Sequence, residues 1–508
     1  MDAALDLLEI RGVEPPVDDS VAVATTRTLD LAPARTRREH DLLGEADIPA
    51  DVYWGIHTLR AVRNFPISGV PVGHFPELVR ALALVKQAAA RANRRLGHLE
   101  PARADAIERA CEAVATQPRF ADQFVVDAVQ GGAGTSTNMN ANEVIANVAL
   151  ELIGRRRGDY AAIHPIDDVN MAQSTNDAYP TALRLAVVFA SERLAQALQD
   201  LAFSFKAKAV EFGDVLKIGR TQLQDAVPMT LGQEFDAFGV TVREDVDRLG
   251  EAASLLREVN LGATAIGTGV NADPRYASLA VAELARLSGE RLVLAANLIE
   301  ATSDMGAFVT FSGVLKRIAV KLSKICNDLR LLSSGPRAGF GEIRLPAAQA
   351  GSSIMPGKIN PVIPEVVSQT AYLVIGHDLT VTLCAEGGQL QLNAFEPTIG
   401  YSILTSLRML ANAVETLNQR CVVGIEADRK RCLDLAQNSI GLVTALAPML
   451  GYEACSRIAR RALVENRRVA DIVLEEGLMS ETQLADLLGV ENMTRPSRMA
   501  SPAFEPKP

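Results

Sequence analysis

Apolar residues recur at alternating gaps of three and four along one stretch in the second half of the chain. They are Phe308, Phe311, Leu315, Ile318, Leu322, Ile325 and Leu329. This heptad spacing is typical of helices that pack side by side in left-handed bundles. The pattern therefore predicts a long helix here that belongs to a bundle.

Other segments repeat the helical pattern. Residues Glu77–Leu96 are rich in alanine and end before Gly97, which predicts a helix with a glycine C-cap. A second long helix is predicted from about Pro180 to Phe212. Residues Glu365–Cys384 are apolar nearly all round, which predicts a helix buried on every side. No region is rich in strands, so we expect an all-α protein. Its bundle is either shared between subunits or contained in one chain.

Composition narrows the class of protein. The chain has 508 residues and a formal net charge of −10, which argues against a nucleic-acid-binding surface. Six scattered cysteines without a Cys-x-x-Cys pair suggest reduced thiols in a cytoplasmic protein. The acidic start lacks the order of a signal peptide, and no apolar run is long enough to cross a membrane.

One stretch is rich in groups that could bind or react with a substrate. Gly351–Asn360 contains two adjacent serines, a Pro-Gly turn, a lysine and an asparagine. It belongs to a glycine- and proline-rich connection from about Leu332 to Ile359, a length at which unstructured connections are usually functional or disordered. The alternative interpretation is a solvated surface loop with a free lysine.

Three further patches place hydroxyls and amides where a helical protein usually has alanine and leucine. They are Gly131–Asn140, which continues to Asn142, Gln173–Asp177 and Gly219–Asp225. Such residues also serve as helix N-caps, which is the structural alternative for each patch. Together with the serine–lysine loop, however, the four patches favour a site that binds carboxylates through neutral donors.

Metal and phosphate sites fit the sequence poorly. The six histidines are dispersed without an i,i+4 pair, so no zinc motif is present. Gly131–Gly134 is not followed by Lys-Ser/Thr at the spacing of a phosphate-binding loop. We therefore predict neither a metal site nor an organic cofactor, and we leave activation by a divalent ion open.

The stretch Gly351–Pro361 closely resembles the signature sequence of the aspartase/fumarase superfamily. The resemblance extends from about Arg38 to Pro496. Thr135–Asn138, His57–Arg60 and Gln222 resemble the aspartate ammonia-lyase branch more than the class II fumarases. Ile166 departs from the asparagine that is usual at a secondary anion site of fumarases, so no second site is expected here, and His164 is expected to be structural.

The resemblance implies an all-α, three-domain chain with a long central helix bundle shared between subunits. It further implies a homotetramer in which three subunits build each active site. The expected segments are an N-terminal extension (1–36), an N-terminal domain (37–174), a central bundle with the catalytic loop (175–430), a C-terminal helical domain (431–496) and a tail (497–508).

The reaction that the resemblance implies is the reversible conversion of L-aspartate to fumarate and ammonia. A base must remove the β proton, which is barely acidic because the resulting aci-carboxylate carries two negative charges on one group. Several pre-aligned donors are needed to stabilise that dianion. A class II fumarase and a non-catalytic structural paralogue are the alternatives.

The family's functional residues transfer to matching positions. Ser352 corresponds to the catalytic base, on a loop that closes over the substrate, and its alkoxide would need Lys358 or backbone N–H groups for stabilisation. The α-carboxylate is expected to bind Lys358, Asn360 and Thr221, and the β-carboxylate Thr135, Ser174 and Thr175. Asn176 is expected near the leaving amine, with Gln222 beside it, and Ser353 is a further expected substrate contact.

Overall fold

The computed structural model describes residues 35–494, and most of this range is helical. The predicted tail, and all but the last residues of the predicted N-terminal extension, lie outside the described residues. The α-helices of this range are α1 (Ile56–Asn64), α2 (Pro76–Leu96), α3 (Pro101–Thr116), α4 (Thr135–Leu152), α5 (Thr175–Glu211), α6 (Leu231–Leu255), α7 (Tyr276–Ser288), α8 (Leu298–Ser303), α9 (Gly306–Leu332), α10 (Val362–Glu386), α11 (Glu396–Arg420), α12 (Arg429–Asn438), α13 (Val443–Leu450), α14 (Tyr452–Glu465), α15 (Val469–Glu475), α16 (Glu481–Leu487) and α17 (Val490–Thr494).

The strands are short and pair only in twos, so the all-α assignment is confirmed. Three pairs are antiparallel and the third along the chain is parallel. The pairs are β1 (Thr36–Asp41) with β2 (Gly44–Pro49), β3 (Leu216–Thr221) with β4 (Gln224–Thr230), β5 (Glu258–Val259) with β6 (Val293–Leu294), and β7 (Ile343–Arg344) with β8 (Glu426–Ala427).

Five long helices form the central bundle. Helix α5 packs between α6 and α11, whereas α9 packs between α6 and α10, and α10 also contacts α11. All seven residues of the predicted heptad seam lie in α9 and are at most 2% exposed. The helical period therefore identified the buried face of α9 correctly. Gly97 caps α2 in a left-handed conformation, as predicted.

The prediction that residues Glu365–Cys384 are buried on every side is wrong for the single chain. These residues lie in α10, where Tyr372, Leu373, Leu379 and Leu383 are 56–61% exposed. An apolar pattern predicts that a face avoids water, but it does not say whether this chain or another surface covers that face. One side of α10 thus exposes several large apolar side chains.

The described residues contain two apolar clusters. The large one runs from Ala61 to Cys432 and includes both α2 and the central bundle. The small one runs from Leu442 to Leu484 and is formed by the short C-terminal helices. The limits proposed at 174/175 and 430/431 stay predictions. No helix between residues 35 and 494 combines the length and hydropathy needed for a membrane span.

The starts of α5 and α9 lie at one end of the bundle, and the β3–β4 hairpin and the connection after α9 lie at the other. Helix α5 begins beside the start of α9, since the Arg184 guanidinium lies 5.2 Å from the centroid of the Phe308 ring. With 37 residues, α5 is roughly 55 Å long. The β3–β4 hairpin follows its far end. The predicted irregular connection leaves α9 at that same end, because Arg220 in β3 bonds to Glu342 within it.

Candidate active site

Two helix N-termini meet at one end of the bundle. Thr135 is the first residue of α4, and Ser174 is the N-cap of α5, where it forms a capping box with Asp177. The side chain of Asn138 joins the two helices, because its Nδ2 donates to Thr175 Oγ1 at 3.2 Å. The free N–H groups and hydroxyls of such ends favour anions. We call the starts of α4 and α5, with Thr135 and residues 174–176, the anion cradle.

A glycine allows the two helices to approach. Gly134 precedes α4 with φ of 90°, and a Cβ there would lie 2.5 Å from the Tyr179 ring. An L-residue at this position would be strained by its backbone conformation and would also collide with the ring. Gly134 of the Gly131–Asn140 patch is therefore needed for the packing of α4 against α5.

The loop after β5 forms hydrogen bonds with the first turn of α5, next to the anion cradle. The Asp177 carboxylate accepts hydrogen bonds from the backbone N–H groups of Gly262 and Thr264 at 2.9 and 3.0 Å. Burial raises the pKa of Asp177 to about 6, although these donors oppose the shift. Asn176 donates through Nδ2 to Ala265 O at 2.7 Å. No residue in 35–494 donates to its Oδ1, which stays available to an ammonium group.

Thr221 and Gln222 lie at the exposed tip of the β3–β4 hairpin. Gln222 and Leu223 have φ angles of 55° and 62°, a sparsely populated region for residues with side chains. Strand β3 is anchored along its length by the buried Glu342, whose carboxylate pairs with Arg220 at 2.8 Å and Lys217 at 3.0 Å. These ion pairs hold the strand that leads into the exposed tip.

Ser352 lies on the connection between α9 and α10, as the sequence predicts. Its Oγ accepts hydrogen bonds from the backbone N–H groups of Ile354 at 3.2 Å and Met355 at 3.1 Å. Two donors on one hydroxyl oxygen stabilise negative charge there. The structure therefore supplies one of the two means by which the serine alkoxide was expected to be stabilised.

The same loop folds back on itself near Ser352. The N–H of Gly351 donates to Lys358 O at 2.8 Å, and Asn360 Nδ2 donates to Gly351 O at 2.8 Å. A Cβ on Gly351 would lie 2.5 Å from Lys358 O, so this contact requires glycine. Lys358 and Ser353 are exposed, and within residues 35–494 neither side chain has a hydrogen-bond or ion-pair partner.

The predicted site residues fall into two sets. Thr135, Ser174, Thr175 and Asn176 come together in the anion cradle. The other set, Thr221, Gln222, Ser352, Ser353, Lys358 and Asn360, lies at the opposite end of the bundle. Since α5 separates the ends by roughly 55 Å, one chain does not bring the two sets together. Among the described residues, no hydrogen bond or ion pair joins them.

Lys86 is a buried charged residue that the sequence analysis did not single out. It lies in α2, is fully buried, and donates to three side-chain carbonyl oxygens: Asn138 Oδ1 at 2.6 Å, and Asn170 Oδ1 and Gln173 Oε1, both at 2.9 Å. Burial lowers the pKa of Lys86 to about 7, and the charge of Asp177 opposes this shift. The available signal was a lysine inside the apolar run of a predicted helix.

His164 has a local structural contact, in line with the prediction. Its Nδ1 accepts hydrogen bonds from the backbone N–H groups of Ile166 and Asp167 at 3.2 and 3.1 Å. Across residues 35–494, no three His, Cys, Asp or Glu side chains are arranged to hold a metal ion. The absence of a cofactor stays a prediction.

The chain matches two family models and is similar to solved structures. Residues 44–376 match the family model described as "Lyase", and residues 442–495 match the one described as "Fumarase C C-terminus". Among solved structures, the chain is similar to a Brucella melitensis protein described as "fumarate lyase:delta crystallin", bound to cobalt. The TM-score is 0.89, and the identity is 59% over 91% of this chain and 100% of that one. A class II fumarase from Schistosoma mansoni has a TM-score of 0.84 and 31% identity, covering 90% and 98%.

Curated relatives with one shared name match nearly the whole described chain. Aspartate ammonia-lyase of Pseudomonas aeruginosa is 62% identical over 91% of this chain and 98% of its own length. The enzymes of the same name from Escherichia coli and Corynebacterium glutamicum are 53% and 54% identical over 91% of this chain, and over 97% and 88% of their own lengths. The chain therefore belongs to the aspartate ammonia-lyase family, a group of carbon–nitrogen lyases within the aspartase/fumarase superfamily.

Proposed function

We propose that this protein reversibly converts L-aspartate to fumarate and ammonia. The observation that carries the proposal is the surrounding of Ser352. Its Oγ accepts hydrogen bonds from two backbone N–H groups. The same loop carries the exposed Lys358 ammonium, which has no partner within the described residues. A serine in this setting can act as an alkoxide base, and family membership supplies the substrate.

The first step is removal of the β proton. The Ser352 alkoxide takes the proton from Cβ, and the electron pair of the C–H bond moves into the adjacent carboxylate. The product is an aci-carboxylate with two negative charges. The N–H groups of Ile354 and Met355 lower the basicity that the serine would otherwise have, so that a useful fraction is ionised.

The anion cradle stabilises the intermediate. The hydroxyls of Ser174 and Thr175 and the free N–H groups of two helix ends are donors that do not titrate near neutral pH. Because hydrogen bonds and packing fix them before the substrate arrives, they stabilise the developing charge without reorganisation. The Thr135 hydroxyl donates to Gly132 O at 2.7 Å and turns to the carboxylate when the substrate binds. This preorganisation is the reason to assign the β-carboxylate to this end of the bundle.

The second step expels ammonia. The extra electron pair returns from the aci-carboxylate to form the Cα–Cβ double bond, and the Cα–N bond breaks. Lys358, Asn360 and Thr221 hold the α-carboxylate, whose position fixes the C–N bond relative to the base. The Oδ1 of Asn176 accepts from the leaving ammonium group, and Gln222 lies beside it. The reverse sequence adds ammonia to fumarate.

The active enzyme on this proposal is a homotetramer in which three chains contribute to each site. Two features of the single chain support it. First, the two sets of site residues lie at opposite ends of the bundle. Second, α10 exposes apolar side chains that another chain would bury. Large uncovered apolar surfaces usually mark subunit contacts. The partners are thus a dicarboxylic amino acid and further copies of this chain, with no nucleic acid or membrane.

We also propose a cytoplasmic location and no requirement for an organic cofactor. All six cysteines are free, and five of them are buried. Unpaired thiols are usual in a reducing compartment. The chemistry above needs donors and a base, all supplied by side chains and backbone.

The test is direct. Purified protein is offered L-aspartate or L-malate separately, and fumarate is followed by its ultraviolet absorbance. The proposal predicts fumarate from aspartate alone, with an equal amount of ammonia. Fumarate from malate alone would make the protein a hydratase. Failure with both substrates would revive the non-catalytic alternative.

A further inference from the structure

Lys86 is a buried ammonium surrounded by neutral groups. Its Nζ contacts three carbonyl oxygens, from Asn138, Asn170 and Gln173, at 2.6–2.9 Å. Three acceptors match the three N–H bonds of an ammonium group, whereas a neutral amine has only two to donate. The geometry therefore fits a positive charge that is fully removed from solvent.

This charge has no anionic partner in contact. Among residues 35–494, no carboxylate forms an ion pair with Lys86. The carboxylate whose charge acts on it, Asp177, is already bonded to the backbone N–H groups of Ser174, Gly262 and Thr264. A buried cation without a counter-charge is costly and is retained in proteins mainly where it serves a function. An anion bound in the neighbouring anion cradle would supply the counter-charge of Lys86.

Lys86 also fixes the direction of a side-chain amide. An ammonium group only donates, so Asn138 must turn its oxygen towards Lys86 and its Nδ2 away from it. That Nδ2 donates to Thr175 Oγ1 at 3.2 Å and to Asn170 Oδ1 at 3.2 Å. Because the Thr175 oxygen already accepts from Asn138, the Thr175 hydroxyl proton is free to point into the cradle.

We propose that Lys86 is a positioning residue for the anion cradle, which acts through Asn138 to make Thr175 a donor to the β-carboxylate and whose charge is balanced by the aci-carboxylate. This inference rests on the proposed function. It predicts that Lys86 matters most when the bound group is doubly charged, that is, in the intermediate rather than in bound aspartate.

Asn138→Asp is the decisive variant. The change is isosteric and gives Lys86 an ion-pair partner, so a purely structural role for the pair would be preserved. A carboxylate at this position cannot donate to Thr175; it accepts the hydroxyl proton instead and neutralises the charge of Lys86. Lys86→Met removes the charge itself and is the companion variant. Asn93→Ala is the control, because Asn93 is equally buried and lies on the helix of Lys86, but it bonds to Met171 O.

The expected result is a kinetic split. Asn138→Asp should lower kcat by about 100-fold while KM for L-aspartate changes by less than about threefold, which is the signature of a contact made in the transition state. Asn93→Ala should change neither kcat nor KM by more than about threefold. Full kcat in a folded Asn138→Asp tetramer would overturn the inference, as would equal losses in Asn138→Asp and Asn93→Ala.

A binding measurement separates this inference from the proposed function. The nitronate form of 3-nitropropionate has the planar pair of negatively charged oxygens that the aci-carboxylate has, and its Kd can be measured by calorimetry. We expect Asn138→Asp to raise the Kd of the nitronate by about the factor by which it lowers kcat. The Kd of succinate should rise by less than about threefold. Equal nitronate affinity in wild type and Asn138→Asp would refute the role of Lys86. Nitronate binding by a wild type that makes no fumarate would refute the proposed function alone.

Discussion

The anion cradle and the serine loop have opposite constructions. Behind the cradle, Lys86, Asn138 and Asp177 are at most 1% exposed. Lys86 donates to Asn138, and Asp177 accepts from the backbone N–H groups of three residues. In the loop, Ile354 is 83% exposed and Lys358 has no partner in the described chain. The cradle is thus fixed in advance, as electrostatic catalysis would require. In the loop, the side chains of Ser352 and Lys358 form no hydrogen bond or ion pair outside the loop within the described chain.

The largest expected effect concerns the base itself. Ser352→Ala should lower kcat by about 10³- to 10⁴-fold, because no other group can take the β proton. The Tm should stay within a few degrees of wild type, since the Ser352 side chain contacts only its own loop. Fumarate absorbance and calorimetric unfolding check the two statements.

A serine outside both regions is the control for this variant. Ser254 is exposed near the end of α6 and donates only to Glu251 O. Ser254→Ala should keep both rate and stability. Ser352→Ala with undiminished activity would remove the proposed mechanism.

The next effect concerns the free cation of the loop. Lys358→Met should lower kcat/KM for L-aspartate by about 100-fold, because a charge-assisted contact to the α-carboxylate is lost. Most of the loss should appear in KM, since the α-carboxylate keeps its charge throughout the reaction. Lys206→Met, which removes an exposed lysine paired with Asp236, is the control. Unchanged KM in Lys358→Met would place the α-carboxylate elsewhere.

A matched pair of glycine variants compares the two regions directly. Gly134 and Gly357 have similar φ angles, 90° and 81°, but a Cβ on Gly134 meets the Tyr179 ring whereas a Cβ on Gly357 meets nothing within 4 Å. Gly134→Ala should lower the free energy of unfolding by about 3 kcal/mol, and Gly357→Ala by about 1 kcal/mol. Denaturant unfolding at equal tetramer concentration measures both. Equal losses would contradict a rigid cradle.

The smallest expected effect is a pH dependence at the cradle end. Glu396, the first residue of α11, is 2% exposed and accepts no hydrogen bond from the described chain. Burial raises its pKa to about 8, although the charge of Arg184 opposes the shift. An unfolded glutamate has a pKa of about 4.3. Between these values the folded chain holds a proton that the unfolded chain has lost, so rising pH reduces stability.

Glu396→Gln removes this dependence. Its Tm advantage over wild type should grow from pH 5 to about 8 and level off above that. Calorimetric scans of both proteins in matched buffers test the trend. A constant difference across this range would mean that Glu396 is ionised in the folded state, with a donor from another subunit.

The sequence predicted local structure well where one chain decides it. The apolar period located α9 and its buried face, and Gly97 marked the end of α2. The pattern could not say what covers the apolar side of α10, because a second chain presents the same chemistry as a core. The positive φ angles of Gln222 and Leu223 were also beyond prediction, since neither is a residue that signals such a turn.

The sequence named candidate site residues, but it did not say where the fold places them. The four patches are local in sequence, and each is found on a helix end, a hairpin tip or a loop. Their distribution over two ends of the bundle depends on the length of α5 and the path of the chain. Lys86 was missed for a related reason: its partners Asn138, Asn170 and Gln173 come from other elements, so its cage exists only in the folded chain.

The most direct test of the central claim, that one active site joins both ends of the bundle from different chains, is a subunit-mixing experiment. Inactive Ser352→Ala and inactive Thr175→Val proteins are unfolded together, refolded and assayed for fumarate from L-aspartate. If each site takes Ser352 from one chain and Thr175 from another, each residue comes from a chain that still has it in about half of the cases. About a quarter of the sites in random hybrids are then intact, so about a quarter of wild-type activity should return. If each chain formed its own site, every site would keep one defect. A mixed tetramer without activity would contradict the account.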